Sequence, residues 1–368
     1  MNKALYKPPH IGSYAPDDIC YLLKELGSEI NESSADEREK LIQQGIHYSE
    51  LLPQEYVPSP KYMELFYYTL DKYKEKVARY TGITAEKILQ AKGRNVVLVS
   101  LARAGSPVGV LLKRYCKKIH NIDIPHYSIS IIRNKGFDKN AITYLLQHYS
   151  ESQLLFVDGW TGKGAIGKQL SIACSEYNNQ FHTSLLPELA VIADPAHSAH
   201  IFGTREDLLI PSACLNATVS GLVSRTFHRQ DVIGERDFHG ARFYKNLMDQ
   251  DVSNHYVDKI AQYFKQETCN SGIDPDPSGK GWQSILRMKE LFDIDDINHI
   301  KPGIGETTRV LLRRVPWKIL VHSSQTDALD HIYQLARERN VPVEIYNDME
   351  YSCCGLIKEI KTTNDFCQ

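Results

Sequence analysis

The amino-acid sequence predicts an α/β fold in which a parallel sheet is covered on both faces by helices. Two observations predict it: short apolar runs typical of buried strands alternate with helix-like segments, and the runs end in turns rich in small or polar residues. The strand-like runs lie at 96–101, 127–132, 154–157 and 189–193. We therefore expect the turns after these strands to lie along one edge of the sheet.

The helix-like segments carry apolar residues at helical spacing. In the larger part of the chain they lie at 15–27, 33–44, 59–80, 107–118, 138–149 and 164–176. Turn-forming residues crowd 271–282, which we interpret as a linker between two domains. The first domain would cover 1–270, with a helical extension over 1–94, and a small α/β/α domain would cover 283–368. The elements predicted in that small domain are helices at 306–314 and 325–339 and strands at 317–321 and 341–346.

Composition and charge exclude several classes of protein. Hydrophobic residues make up 42% of the 368 residues and charged residues 24%, which excludes wholesale disorder. The net charge is −2, so attraction to nucleic acid needs a local patch. No apolar run approaches about 18 residues and no signal-like segment begins the chain, so we expect a cytoplasmic protein without a membrane partner. The eight cysteines include no CxxC pair, which argues against a disulfide scaffold and a zinc ribbon.

The turn over 158–165 links an apolar strand to a helix. Its glycines let backbone N–H groups approach a phosphate closely, and the helix N-terminus adds positive potential. The carboxylate of Asp158 is placed at the strand end, where it could accept hydrogen bonds from sugar hydroxyls. The spacing does not fit the Walker pattern, because no Ser or Thr follows Lys163. A tight turn without a ligand is the alternative for this segment alone.

Two neighbouring strand-end loops also carry cations beside small residues. In the 103–107 loop, Arg103 can place its guanidinium on phosphate oxygens. In the 132–138 loop, Arg133 and Lys135 stand next to a glycine. Each loop alone could be an ordinary surface turn. Three loops of this kind at one sheet edge predict an anion site.

These loops resemble those of a known family. The 158–165 turn is similar to the phosphoribosyl-pyrophosphate loop of type I phosphoribosyltransferases, and the 103–107 loop is similar to their pyrophosphate loop. A narrower likeness is to the phosphoribosyltransferase-like family of tellurite-resistance-associated biosynthetic operons, which also carries the label cysteine protease StiP. The stretches that carry this narrower likeness are 100–105, 126–133 and 157–165.

The resemblance implies a type I phosphoribosyltransferase-like sheet and transfer of phosphoribosyl from phosphoribosyl pyrophosphate to an unidentified base or small acceptor. It further implies Mg²⁺ as cofactor and a part in making a ribonucleoside linked to tellurite and stress response. The implied catalytic residues are Asp158, Arg133 and Lys135. The implied phosphate-binding residues are Arg103, Ala104, Gly105, Ser106, Gly159, Thr161, Gly162, Lys163 and Gly164.

A glycine turn followed by a basic helix marks the small domain. Between 301 and 318 there are five Lys or Arg and one acid, which favours contact with a phosphate backbone. The 303–309 segment resembles the RNA-contacting turn of Pelota-like and kink-turn-binding ribosomal proteins, although Gly305 stands where those proteins carry asparagine. The resemblance implies RNA binding, which we assign to Gly303, Glu306, Arg309 and Arg313.

Two other functions stay open at this point. A cysteine hydrolase needs a thiolate and a base. Cys116, Cys174 and Cys214 lie in apolar patterns typical of buried thiols, whereas the pair Cys353 and Cys354 has a more exposed pattern. The third function is a non-catalytic binder that senses a nucleotide or phosphoribosyl pyrophosphate and controls RNA.

The third function is supported by Gly159, because type I phosphoribosyltransferases carry a second acid at that place. The sequence indicates neither the acceptor nor the RNA target nor the oligomeric state.

Overall fold

The computed structural model describes residues 8–269, 273–274, 277–323 and 327–357. Its helices are α1 Ala35–Gln43, α2 Pro60–Lys92, α3 Gly105–His120, α4 Lys139–Leu146, α5 Ala165–Phe181, α6 Ser253–Ala261, α7 Lys280–Leu291, α8 Ile304–Arg313 and α9 Asp330–Glu338. Its strands are β1 Cys20–Tyr21, β2 Lys24–Glu25, β3 Glu32–Ser33, β4 Leu52–Pro53, β5 Val97–Ala102, β6 His126–Ile132, β7 Gly136–Phe137, β8 Leu154–Val157, β9 Leu189–Ala193, β10 Ile201–Thr204, β11 Gly240–Ala241, β12 Ile300–Pro302, β13 Pro316–Val321, β14 Val343–Ile345 and β15 Cys353–Ile357.

The main sheet has the order β1-β6-β5-β8-β9-β10 and its paired strands are parallel, while β7 pairs antiparallel with β6. Val97 and Val99 pack into the core on one face, and Leu98 packs into the core on the other. This alternation follows from the two-residue period of a strand, and it buries both faces beneath helices. The prediction of an α/β fold with a parallel sheet is therefore confirmed.

Helix α2 is the longest helix among the described residues. It has 33 residues, which corresponds to a length of about 50 Å. Ser59 caps its start by accepting a hydrogen bond from the N–H of Tyr62, and Gly93 with a φ of 74° ends it. The predicted helix at 59–80 is thus present but longer, because apolar spacing continues through buried Ala85 and Ile88.

A second, four-stranded sheet has the order β12-β15-β13-β14. Here β13 and β14 are parallel and β15 is antiparallel to both of its neighbours. Helix α8 packs on this sheet, and its buried residues Ile304 and Leu311 also belong to the same core cluster as α2. The two sheets are therefore joined by a shared apolar core.

The helix predicted at 15–27 is wrong. The segment instead forms turns and the short strands β1 and β2. Leu22 and Leu23 are both fully buried, in core clusters on opposite faces of the sheet, which a one-sided helix could not achieve. The partners of these strands are β6 and β11, far along the chain, so tertiary pairing overrides the local pattern.

Part of the predicted linker at 271–282 lies outside the described residues, and α7 begins within it at Lys280. Among the described residues, no helix is both long enough and apolar enough to cross a membrane.

We expect Gly109→Ala to destabilise the fold. A Cβ at Gly109 would lie 2.1 Å from Nε2 of His126 and 2.3 Å from Oγ of Ser100, two atoms that are themselves 2.7 Å apart. Both side chains are buried, so the extra methyl must displace α3 from β5, at a cost of about 2 kcal/mol or more in unfolding free energy.

Urea unfolding of Gly109→Ala beside Gly234→Ala measures this effect. At Gly234 the Cβ would meet only the carboxylate of Asp237, at 3.3 Å, so this control should stay within about 0.5 kcal/mol of the parent chain. Equal stability of the two variants would contradict the packing described here.

Candidate functional site

A pocket of about 300 Å³ lies at the carboxyl ends of β5, β6 and β8. The turns after these strands form its floor, and the segment from Lys301 to Arg309 of the second sheet region closes it. In a parallel sheet this edge is where ligands bind, because turns from several strands converge there. The pocket is thus a composite of both parts of the chain.

Ten of the sixteen residues predicted for function line this pocket. They are Arg103, Ala104, Arg133, Asp158, Thr161, Gly162, Lys163, Gly164, Glu306 and Arg309. Six do not line it, namely Gly105, Ser106, Lys135, Gly159, Gly303 and Arg313. The convergence of three strand-end turns is as the sequence predicts, whereas the roles assigned to individual side chains stay predictions.

The residues outside the pocket have structural partners. A Cβ at Gly105 would lie 2.3 Å from the carbonyl oxygen of Val157, so this glycine permits close packing of α3 on β8. The hydroxyl of Ser106 is buried 2.9 Å from that of Ser128. The ammonium of Lys135 lies 3.0 Å from the carboxylate of Glu50, and Lys135 is not among the lining residues.

The carboxyl of Asp158 stands at the end of β8. Its Oδ1 accepts a hydrogen bond of 2.8 Å from the N–H of Gly159. Burial raises the pKa of Asp158 to about 7, against the lowering effects of that hydrogen bond and of Arg309. At neutral pH the group therefore exchanges between a charged and a neutral form.

The turn after Asp158 is anchored by a hydrogen bond to a buried carboxylate. Thr161 donates a 2.6 Å hydrogen bond to the buried carboxylate of Asp194, which also accepts from the N–H of Ser198 at 2.9 Å and pairs with Arg205. Gly164 has a φ of 74°, a left-handed conformation that lets α5 begin immediately after the turn. Asp194 and Arg205 do not line the pocket but hold the turn through Thr161, and the sequence does not reveal these partners.

Five cations line the pocket against two carboxyl groups, Asp158 and Glu306. The cations are Arg103, Arg133, Lys163, Lys301 and Arg309. Burial, with the nearby charges of Lys301 and Arg133, lowers the pKa of Lys163 to about 8. Burial acts to raise the pKa of Glu306, but Arg309 and Lys301 outweigh it and hold that pKa below its usual value. The surplus of positive charge suits an anionic ligand.

The carboxylate of Asp207, a half-buried residue, links the closing segment to the main sheet region. It accepts hydrogen bonds of 2.9 Å from the N–H groups of Ile304 and Ser352. Tyr351 donates a 2.7 Å hydrogen bond to the carbonyl of Gly162. Asp207 thus occupies the N-terminus of α8, where the resemblance to Pelota-like proteins implies contact with RNA.

Of the four residues assigned to RNA binding from the sequence, two therefore face the pocket and two contact other parts of the protein. Gly303 faces Asp207, whose Oδ1 would lie 3.1 Å from a Cβ there. The guanidinium of Arg313 donates a 2.7 Å hydrogen bond to the carbonyl of Cys214. Glu306 and Arg309 form an ion pair of 3.0 Å and face the pocket.

The loop that contains Arg133 contacts a short segment before β4, residues 47–50. The N–H of Arg133 donates a 2.7 Å hydrogen bond to the hydroxyl oxygen of Tyr48, and Glu50 pairs with Lys135 in the same loop. The unusual polarity of this segment is visible in the sequence, but its partner loop is not, because the two are 85 residues apart.

The described thiols all lie outside the pocket lining. Cys116, Cys174 and Cys214 are buried, as their apolar surroundings in the sequence predict. Cys353 and Cys354 are also buried, so the more exposed pattern predicted for them is wrong. The cause is that β15 runs in the middle of its sheet, between β12 and β13.

The magnesium predicted from the resemblance stays a prediction. The carboxyl groups at the pocket are Asp158, which is partly protonated at neutral pH, and Glu306, which is paired with Arg309. In the part of the chain that the structure describes, no group of three or more His, Cys, Asp and Glu could hold a metal ion. These donors do not fit a magnesium site formed by the protein alone.

We expect the pocket to bind sulfate more tightly at about pH 6 than at about pH 9. As the pH rises, Asp158 loses its proton near pH 7 and Lys163 loses its charge near pH 8, and both changes make the pocket less positive. The affinity should fall about tenfold across this range, measured by calorimetry. Sulfate is a suitable probe because its own charge is constant there.

Lys163→Met should bind sulfate weakly at every pH and should lose the step near pH 8. Lys168→Met is the matched control, because Lys168 is exposed on α5 and lies outside the pocket lining. A Lys163→Met variant with the parent's pH profile would contradict this assignment of the pocket charges.

Comparison with known proteins identifies the family. A family model described as "Tellurite-like stress resistance cysteine protease StiP" matches residues 12–261, and a model of the PELOTA RNA-binding domain matches residues 279–359. The "Cysteine protease StiP" of Acinetobacter baylyi is 31% identical over 366 residues, covering 95% of this chain and 94% of that one.

Among solved structures, the PLP-bound C-S lyase from Staphylococcus hominis is 10% identical and aligns over 73% of this chain and 68% of that one, with a TM-score of 0.21. A likeness this weak says nothing about the fold or the function of the chain.

The prediction of phosphoribosyl transfer is wrong. The family model and the relative in Acinetobacter baylyi both carry the name of a cysteine protease, which is the alternative that the sequence left open. The site itself departs from the transferase pattern in two ways. Gly159 stands in place of the second acid, and the carboxyl of Asp158 accepts a hydrogen bond from the backbone of its own turn. By its match over residues 12–261 and along almost the whole length of this relative, the chain belongs to the StiP family.

Proposed function

We propose that this chain hydrolyses peptide bonds with a cysteine nucleophile, in a response to stress. The observation that carries the proposal is its family membership, since the relative named as a cysteine protease aligns with 95% of the chain. The family description also names tellurite-like stress resistance. The likeness of the strand-end turns to those of type I phosphoribosyltransferases would then reflect a shared sheet architecture with different chemistry.

The nucleophile that we propose is Cys214. It ends the turn Pro211–Cys214, and its neighbours Ser212, Leu215 and Asn216 line a small cavity beside the main pocket. The two cavities share the residues Arg103, Ala104, Trp160 and Arg309. Among the described thiols, Cys20 and Cys269 are partly exposed but line neither cavity.

The surroundings of Cys214 include groups that favour its thiolate. Burial raises the pKa of the thiol to about 11, whereas Thr69, whose hydroxyl lies 3.7 Å from the sulfur, and the cations Arg313 and Arg309 act to lower it. In this conformation the sulfur is enclosed and protonated. Catalysis would therefore require the Pro211–Cys214 turn to open toward the cavity, where water can solvate the thiolate and the arginines can stabilise it.

We expect Cys214→Ser and alkylation with iodoacetamide each to lower hydrolysis of fluorogenic casein at least about a hundredfold, because a hydroxyl without a base is a poor nucleophile. Cys174→Ser is the matched control, since Cys174 is equally buried on α5 and lines neither cavity. Circular dichroism would verify that each variant folds.

Full activity of Cys214→Ser would contradict the assignment of the nucleophile. Casein hydrolysis that resists alkylation of every thiol, or the absence of hydrolysis by the intact chain, would contradict the thiol-dependent activity itself.

RNA binding is a second function that we propose, and a separate observation favours it. The match to an RNA-binding domain covers residues 279–359, and α8 within it carries Arg309 and Arg313, followed by Arg314. Fluorescence anisotropy with labelled RNA tests it: binding should weaken steeply as salt increases, because phosphate contacts release counterions. Binding that is independent of salt would contradict a contact with the phosphate backbone.

A further inference from the structure

Five arginines from different parts of the chain lie close enough together for the charges of four of them to act on the fifth, Arg225. We call them the arginine cluster; its members are Arg38, Arg103, Arg225, Arg309 and Arg314. Arg103 follows β5 and Arg309 lies on α8, while Arg314 stands directly after that helix. The cluster therefore joins the main sheet region to the RNA-binding domain.

Two members of the cluster are paired with acids, and two others have no partner among the described residues. Glu55 lies 3.4 Å from Arg103, and Glu306 lies 3.0 Å from Arg309. Arg225 and Arg314 are exposed, and within the described residues neither guanidinium has a hydrogen bond or an ion pair.

The cluster overlaps the lining of the pocket. Arg103 and Arg309 line the pocket itself and also belong to the cluster. Trp160 also lines the pocket, and its ring centroid is 6.0 Å from the guanidinium carbon of Arg309. A ligand that extends out of the pocket could thus contact an aromatic ring and the two unpaired guanidinium groups of Arg225 and Arg314.

Repulsion among clustered guanidinium groups is relieved when anions bind between them. A single anion could neutralise the positive charge of the pocket. The two unpaired guanidinium groups outside it favour a longer ligand that carries several negative charges in a row. A phosphodiester chain has this character, and an unpaired base can stack on an aromatic ring. The pocket of about 300 Å³ has room for one small group and none for a duplex end.

We propose that single-stranded RNA binds across the two parts of the chain, with one terminal nucleotide in the pocket and the next phosphates on Arg225 and Arg314. This inference rests on the proposed RNA binding and gives it a location. This location differs from the one that the resemblance of the 303–309 turn implies. At that turn the N–H of Ile304 already donates a hydrogen bond to Asp207 and is not available to RNA.

The test is fluorescence anisotropy with a twelve-nucleotide oligouridylate that carries an internal label. We expect Arg225→Glu and Arg314→Glu each to weaken binding about tenfold and to lower the slope of log affinity against log salt by about 0.7 or more. Arg94→Glu is the matched control, because Arg94 is also exposed but precedes β5, at the opposite end of that strand from the pocket. It should bind as the parent chain does.

If the parent chain binds the oligouridylate but Arg225→Glu and Arg314→Glu bind like Arg94→Glu, the cluster is not the site, while RNA binding stands. If a blunt RNA duplex of the same length binds as tightly as the single strand, the placement of a terminal nucleotide in the pocket is overturned. If the parent chain binds no RNA at all, both the proposed RNA binding and this location fail.

Discussion

The position of the domain that matches the PELOTA model depends on one carboxylate, that of Asp207. Asp207 lies in the loop after β10. Its carboxylate accepts hydrogen bonds from backbone N–H groups at two separate points of that domain, the start of α8 and the segment before β15. Burial raises its pKa to about 6, while the hydrogen bonds from these backbone N–H groups and from that of Cys353 act to lower it. This contact sets where Lys301, Glu306 and Arg309 stand relative to the sheet edge, and so it determines the shape of the pocket.

The charges of the pocket follow from that arrangement. Each part of the chain contributes cations that would be well solvated alone, but docking brings them together and removes water from between them. The depressed pKa of Lys163 and the raised pKa of Asp158 are both consequences of this burial. Perturbed groups that converge in a cleft are typical of functional sites. Neighbours of the thiol proposed as nucleophile line the adjoining smaller cavity, whereas the thiol itself is buried.

The main sheet and the turns at its edge could be predicted from the sequence because their signals are local. The apolar run Leu154–Val157 and the glycines after Asp158 specify a strand and a tight turn without reference to distant residues. The segment 15–27 could not be predicted, since its apolar residues serve two faces and its strands pair with partners elsewhere in the chain. Two other contacts also could not be predicted: Tyr48 with the Arg133 loop, and Asp207 with α8. They form only when distant segments pack together, and such packing produces no periodic pattern in the sequence.

The shared pocket also constrains how this chain can change over evolutionary time. Neither domain alone contains a complete set of lining residues, because Arg103 and Lys163 come from one and Lys301 and Arg309 from the other. A gene split between the two would leave each product with half a binding surface and with apolar residues of α8 exposed. The two modules are therefore expected to be inherited together and to alter their ligand preference only through paired substitutions.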